Sequence, residues 1–204
     1  MDLSSIKKHF IPEKILDIGA NVGQFYTNCK LEFPNAYYYL IEGNKKCEVA
    51  LEELNVDFTI SLLSDKVKTV NFYTRTNEDR CTGNSIYREK TSFFNDDEIT
   101  IESIETTTLN NLFQDESFDL IKIDVQGSEI DIINGGIDLI KKSRGLILEI
   151  SLVEYNENSP TKEFVYEFLE KLGFYPIEHI GNINHPITHE LIQQDILFIN
   201  KKII

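Results

Sequence analysis

The sequence predicts an α/β protein with a doubly wound, mostly parallel, seven-stranded sheet and helices on both faces. Three observations carry this expectation. Short apolar runs rich in β-branched residues alternate with segments of helical spacing along the chain. The first run ends in a glycine loop, Gly19 to Gly23, that leads directly into a helical segment. Several runs end at or beside a carboxylate, at the edge where an open α/β sheet keeps its ligand.

The elements follow in order. Ile15-Leu16-Asp17-Ile18 reads as the first strand, and 24–33 as a helix stopped by Pro34. Tyr37-Tyr38-Tyr39-Leu40-Ile41 is a second strand, its tyrosines read as packing rather than as a stacking platform. Residues 45–54 have helical spacing, 57–62 make a third strand, and 69–74 an antiparallel addition. The polar stretch 75–95 has no period and is the longest expected loop, with Cys81 incidental within it. A short helix is expected over 108–114. The run Asp119 to Val125 is a buried strand interrupted by Lys122, for which pairing with an acid such as Asp17 or Glu149 is expected.

Ile130, Ile133, Ile137 and Ile140 form a stripe on one helix over 128–142. Residues 145–150 give the fifth core strand. Ser159-Pro160 reads as the N-cap and first position of a helix that closes at Gly173. Strands over 174–180 and 196–200 finish the sheet, with an Asn/His-rich loop between them. The right-handed crossover rule winds these strands into one doubly wound sheet.

Bulk properties narrow the class. A chain of 204 residues suits a single domain over 1–204. A hydrophobic share of 41% against 26% charged is the balance of a folded domain rather than a disordered one. No apolar run has the length of a membrane span, and the first residues lack the apolar core of a secretory signal, so the cytoplasm is the expected compartment. Three cysteines without C-x-x-C spacing argue against a disulfide framework or structural zinc. Twenty basic against 34 acidic residues give a net charge of −14, which makes nucleic acid a poor partner. Between residues 91 and 121 there is no Lys or Arg and there are eight acids, read as a solvated face.

The strand ends expected to form the site are Asp17, Glu42, Ser64-Asp65, Asp124 and Glu149. In the loop Asp17-Ile18-Gly19-Ala20-Asn21-Val22-Gly23, Gly19 permits a tight turn and Gly23 close packing of the next helix. Glu42 stands where a carboxylate accepts hydrogen bonds from ribose hydroxyls. Dinucleotide loops place a glycine in the middle so that backbone can approach pyrophosphate; this loop has Asn21. S-adenosylmethionine has no phosphate and carries a sulfonium and an amino group that favour nearby acids such as Asp17. The expected cofactor is therefore S-adenosylmethionine, held by Asp17, Gly19, Asn21, Gly23, Glu42, Ser64, Asp65 and Asp124.

Four blocks carry a resemblance to the FkbM-type methyltransferase family over roughly 14–150. They are the glycine loop, Ile41-Glu42-Gly43-Asn44, Thr106-Thr107-Thr108-Leu109-Asn110, and Lys122-Ile123-Asp124-Val125-Gln126-Gly127-Ser128-Glu129. The last is the most family-specific. The chain departs at Gly43, where the family has proline, and at Asn110, where it has aspartate. Thr82-Gly83-Asn84-Ser85 is a looser match to the family's small-residue loop. The resemblance implies a Rossmann-like class I enzyme that transfers a methyl group to an oxygen, on sugars, polysaccharide units or natural-product building blocks.

Methyl transfer from a sulfonium needs alignment and a destination for the acceptor's proton, but no acid at sulfur. Asp124 is the first residue expected to act as general base or acceptor hydrogen bond, ahead of Glu129 and Glu149. Each has a second reading: Asp124 orients the cofactor's amino group or caps the next helix, and Glu129 caps. A divalent metal held by Asp124 with Glu149 or a histidine would also acidify an alcohol, but the carboxylates have no recognised ligand spacing and no metal is expected. His185 and His189 could line the acceptor pocket, while His9 and His179 read as surface or core-edge residues. The acceptor is expected to be a small molecule or saccharide, chosen by loops at 75–95 and 181–190. The alternatives are a non-catalytic cofactor-binding or scaffold protein of the same fold, a nucleotide-sugar or NAD enzyme, and a nucleic-acid methyltransferase.

Overall fold

The computed structural model describes residues 1–75, 83–90, 99–154, 156–185 and 188–203. Cys81, Thr82, parts of the expected loop at 75–95, and Pro186 and Ile187 lie outside the described residues. The strands are β1 (Lys14–Ile18), β2 (Tyr37–Glu42), β3 (Asp57–Ile60), β4 (Thr69–Arg75), β5 (Ile99–Glu105), β6 (Leu120–Ile123), β7 (Gly145–Ser151), β8 (Phe174–Asn184) and β9 (Leu191–Asn200). The helices are α1 (Gln24–Glu32), α2 (Glu48–Glu52), α3 (Leu109–Leu112), α4 (Glu129–Gly135), α5 (Ile137–Ile140) and α6 (Lys162–Leu172).

Seven strands form one sheet in the order β3-β2-β1-β6-β7-β9-β8. From β3 to β7 neighbouring strands are parallel, while β9 is antiparallel to both β7 and β8. The chain therefore winds outward in both directions from β1, and the strand order reverses between β1 and β6.

Alternation along each strand divides the core between the two faces. Leu16, Ile18, Ile121, Ile123, Leu148, Ile196 and Phe198 pack against α3 to α6 through Leu109, Ile133, Ile140 and Leu169. Ile15, Leu40, Leu120, Ile147 and Leu197 pack on the other face against α1, α2 and the 3-10 turn Leu3–Lys8, through Phe25, Cys29, Leu51 and Ile6.

Several expected elements differ in detail. The antiparallel addition at 69–74 does not join the main sheet; β4 pairs with β5 as a separate two-stranded ribbon. Strand β5, which the sequence does not announce, falls within the acidic stretch and exposes most of its side chains. The single helix expected over 128–142 is two, α4 and α5. A Cβ on Gly135 would strike the carbonyl oxygen of Ser64, and one on Gly136 would meet Leu109, so the two glycines let the chain pass close to its neighbours where it bends. The cap of α6 is Thr161, whose hydroxyl accepts from the Phe164 N–H, rather than Ser159. Ser159 instead donates to the Asn156 carbonyl at 2.9 Å.

Candidate functional site

The loop after β1 folds back on the end of β2. The N–H groups of Gly19 and Ala20 both donate to the Ile41 carbonyl, at 2.9 and 3.0 Å, and Asn21 N–H donates to Glu42 Oε2 at 2.8 Å. Gly19, Asn21 and Gly23 all have positive φ, which sharpens the turn before α1. A Cβ on Gly19 would overlap the carbonyl oxygen of Asp124, so the close approach of this loop to the end of β6 requires glycine. The loop's first three N–H groups are thereby committed to the protein itself. None of these three is left to cradle a pyrophosphate.

Glu42 is only 8% exposed and accepts a second N–H, from Asn44, at 2.7 Å on Oε1. With the N–H groups of Asn21, Asn44 and Gly43 on a carboxylate that offers about four acceptor positions, Glu42 keeps acceptor capacity for a ribose hydroxyl. Burial pushes its carboxyl above the usual range, against the N–H groups of Asn44 and Asn21.

A cavity of about 170 Å³ opens beside this carboxylate. Its walls are Gly19 to Asn21, Glu42 and Gly43 on one side, Ser61 to Leu63 and Phe72 on another, and Asp124 to Gln126 on a third. Gly83 to Ile86 lie across it. Ser85 fastens that segment: its hydroxyl donates to the Gln126 carbonyl at 2.8 Å, and its backbone exchanges hydrogen bonds with Tyr73 of β4. Further along, the Tyr87 hydroxyl donates to Asp131 at 2.8 Å.

Asp124 follows β6 and borders the cavity. Its Oδ2 accepts from Lys122 Nζ at 2.9 Å and its Oδ1 from Gln126 Nε2 at 3.0 Å. Lys122 is the odd residue inside a buried strand, and pairing is the outcome: Asp124 is its close partner and Asp17 lies at 3.9 Å. Glu149 is a more distant neighbour. Burial works to lower the Lys122 pKa, but the Asp124 and Asp17 carboxylates more than reverse this and raise it.

The residues expected to hold the cofactor divide into three groups. Gly19, Asn21, Glu42 and Asp124 border the cavity. Asp17 and Gly23 lie beneath it. Asp17 is fully buried, its carboxyl pushed up to about 6 by burial against the pull of Lys122, and Gly23 packs toward Leu54. Ser64 and Asp65 are carried away from it, because β3 ends at Ile60 and Leu63 bridges to Thr107. Ser64 N–H donates to the Thr107 carbonyl at 2.9 Å, and Asp65 is tied to Lys68 at 2.7 Å. At that end of the cavity Ser61, Leu62 and Leu63 stand in their place.

Glu149 and Glu129 border a smaller recess near the start of α6 instead. Glu129 Oε1 accepts from the N–H groups of Val125 and Gly127, and burial lifts its carboxyl to about 7. The histidines are peripheral to the cavity. His185 Nδ1 accepts from the Thr188 N–H, His189 and His179 are exposed, and His9 lies 3.6 Å from Glu178. Among the described residues no cluster of three or more His, Cys, Asp or Glu is arranged to hold a metal ion.

Gln126 went unnoticed as a site residue in the sequence. It has φ +59°, followed by Gly127 at +107°, and this left-handed pair turns its amide back toward Asp124 and Glu149. Nothing in the residue type announces such a conformation; only its place between a strand-ending aspartate and a glycine hints at it.

A cavity at the switch point of a doubly wound sheet, bordered by the Glu42 and Asp124 carboxylates and with its first loop amides already spent, fits an enzyme of the methyltransferase class. The model of the methyltransferase FkbM domain matches residues 17–176, more than three quarters of the chain, and the protein belongs to that family. Its cofactor is S-adenosylmethionine. No curated protein matches.

Solved structures share the fold at low identity. Magnesium protoporphyrin IX methyltransferase from Synechocystis, with bound S-adenosylmethionine, is 11% identical with TM-score 0.54, covering 97% of this chain and 74% of that one. Precorrin-6y C5,15-methyltransferase from Geobacter metallireducens is 12% identical with TM-score 0.52, covering 97% and 85%. An RNA-methyltransferase candidate from Pyrococcus horikoshii is also 12% identical with TM-score 0.52, covering 97% and 77%. Neighbours on this fold thus include porphyrin-type and RNA-directed enzymes, and the fold alone leaves the acceptor open.

Proposed function

We propose that this methyltransferase methylates a hydroxyl group of a small molecule or saccharide unit. The observation that carries the reading is the position of Asp124. With Glu42 assigned to the ribose, Asp124 is the other carboxylate bordering the cavity among the described residues. When bound, the cofactor supplies an activated methyl on a sulfonium, with a neutral leaving group. Glu42 holds the ribose and the Gly19 to Asn21 turn shapes the bed beside it. Asp124 receives the hydrogen bond, and then the proton, of the acceptor hydroxyl as its oxygen takes the methyl. Lys122 and Gln126 keep the Asp124 carboxylate fixed during that step. The segment 83–86 helps exclude water.

The charge of −14 supports an uncharged or polyhydroxylic acceptor over a polyphosphate one. Calorimetry with S-adenosylmethionine, with NAD as the control, tests the cofactor end. Glu42→Ala is expected to weaken binding about a hundredfold, by loss of a hydrogen bond to a charged group. Transfer of labelled methyl to a panel of sugars and other hydroxyl compounds tests the acceptor end. There Asp124→Asn is expected to lower kcat about a hundredfold or more while cofactor affinity holds. Transfer to RNA but to no hydroxyl compound in the panel would overturn the reading. Cofactor binding with no transfer to any acceptor would favour a binding or scaffold role.

A further inference from the structure

Strand β9 lies beyond the stretch matched by the family model, which ends at residue 176. It runs antiparallel to β7, so its first residues, not its last, reach the rim where the parallel strands end. Gln193, near that beginning, is 5% exposed. Its Nε2 donates to Glu149 Oε1 at 2.6 Å and lies 3.4 Å from Gln126 Oε1. Gln126 Nε2 donates to the same Glu149 Oε1 at 2.8 Å and to Asp124 Oδ1 at 3.0 Å.

Two consequences follow from counting lone pairs. Both acceptor positions of Glu149 Oε1 are filled by amide N–H groups, so a proton on this carboxyl can sit only on Oε2. The orientation of the Gln126 amide is also imposed. Its nitrogen faces two carboxylate oxygens, and its oxygen faces the Gln193 nitrogen.

We infer that Gln193 is a positioning residue for the acceptor end of the site: it fixes which oxygen of Glu149 is free to hold a proton and, through Gln126, fixes the Asp124 carboxylate at the cavity wall. The inference deepens the proposed hydroxyl methylation and rests on it for its role in turnover. Charged groups face Glu149 from every side. They are Asp124 and Lys122 at the end of β6, Asp195 opposite it on β9, and Glu129 at the start of α4. Burial, then Asp124, Asp195 and Glu129, lift the Glu149 carboxyl well above its usual range, and Lys122 opposes them. The two amide donors stabilise its ionised form within that acidic setting.

The test is a carbon-13 NMR titration of the glutamate carboxyl groups, with the Glu149 resonance assigned by Glu149→Gln. In Gln193→Met, which keeps length and loses the amide, the Glu149 midpoint is expected to rise by about one pH unit. At neutral pH kcat falls about tenfold as the Gln126 amide and, with it, the Asp124 carboxylate lose their fixed orientation, and cofactor affinity stays within about twofold. Gln193→Asn keeps the amide but is too short for the 2.6 Å bond, and is expected to move the midpoint in the same direction. It serves if the methionine variant does not fold. An unchanged midpoint in the folded variant overturns the inference, as does a moved midpoint with wild-type kcat. If the wild-type protein methylates no hydroxyl compound, the functional reading fails, and the titration, which needs no acceptor, still decides whether Gln193 governs Glu149.

Discussion

Gly19 has φ +80°, and its missing side chain faces the Asp124 carbonyl oxygen, so only a hydrogen separates the loop after β1 from the end of β6. Gly19→Ala must both strain the backbone and push these segments apart. A loss of about 2 kcal/mol or more in urea unfolding is expected, with cofactor binding abolished in calorimetry. A variant that unfolds and binds like the wild type would contradict the close approach. Glu129 gives a pH-dependent prediction. Its folded pKa of about 7 lies above its ordinary 4.5, so the native state binds the proton more tightly than the unfolded chain. The stability it contributes is present below about 4.5 and is lost as pH rises to about 7. Glu129→Gln keeps an acceptor for the Val125 and Gly127 N–H groups and cannot ionise. It is expected to match the wild type near pH 4 and to exceed it at pH 8, by at most about 3 kcal/mol. A stability gap that is the same at both pH values would sink this account. At this scale the sequence is legible where a residue type has one geometric use, as at Gly19 with its positive φ and close approach to Asp124. It is not legible where a common residue adopts a rare conformation, as at Gln126, or where the chain turns away, as at Ser64 and Asp65.

Among the elements, strands buried on both faces were the most readable. Leu120 to Ile123 are all buried, and a short apolar run interrupted only by Lys122 leaves little else to form. The helix over 128–142 was read as continuous because its isoleucine stripe keeps helical spacing across Gly135 and Gly136. The break comes from contacts with Ser64 and Leu109, which are distant in sequence. Strand β5 was missed because half-exposed strands in acidic sequence look like solvated loop. The start of α6 was misread by two residues, since Ser159, Pro160 and Thr161 all suit a helix start and only geometry chooses among them. Thr161→Ala is expected to cost about 1 kcal/mol in thermal or urea unfolding, through loss of the cap to Phe164 N–H. No change would place the cap elsewhere.

For the whole molecule, the raised carboxyls act together. Asp17 and Asp195, each lifted to about 6 chiefly by burial, have the same sign as Glu129. Asp65, held below its ordinary value by its hydrogen bond to Lys68, acts in the opposite sense at lower pH. With a net charge of −14 adding self-repulsion, the melting temperature is expected to fall from pH 5 to pH 8. About 0.5 M salt is expected to recover part of that loss by screening the exposed charges but not the buried ones. Calorimetric scans at the two pH values, with and without salt, check this; a higher melting temperature at pH 8 would refute it. The order of the sheet bears on how such a protein can diverge. One side of the cavity wall comes from the ends of β1 and β2 and the segment after β3, whereas Asp124, Gln126, Glu149 and Gln193 come from the ends of β6 and β7 and the start of β9. Strand β9 enters the rim from its first residues, where Gln193 pairs with Ser151 of β7 and bonds to Glu149, while its last residues pair with the start of β7 and reach Arg144. On the proposed reading, variation at the start of β9 acts on the Glu149 and Asp124 end and leaves Glu42 and the Gly19 loop, separated from β9 by two strands or more across the sheet, as they are.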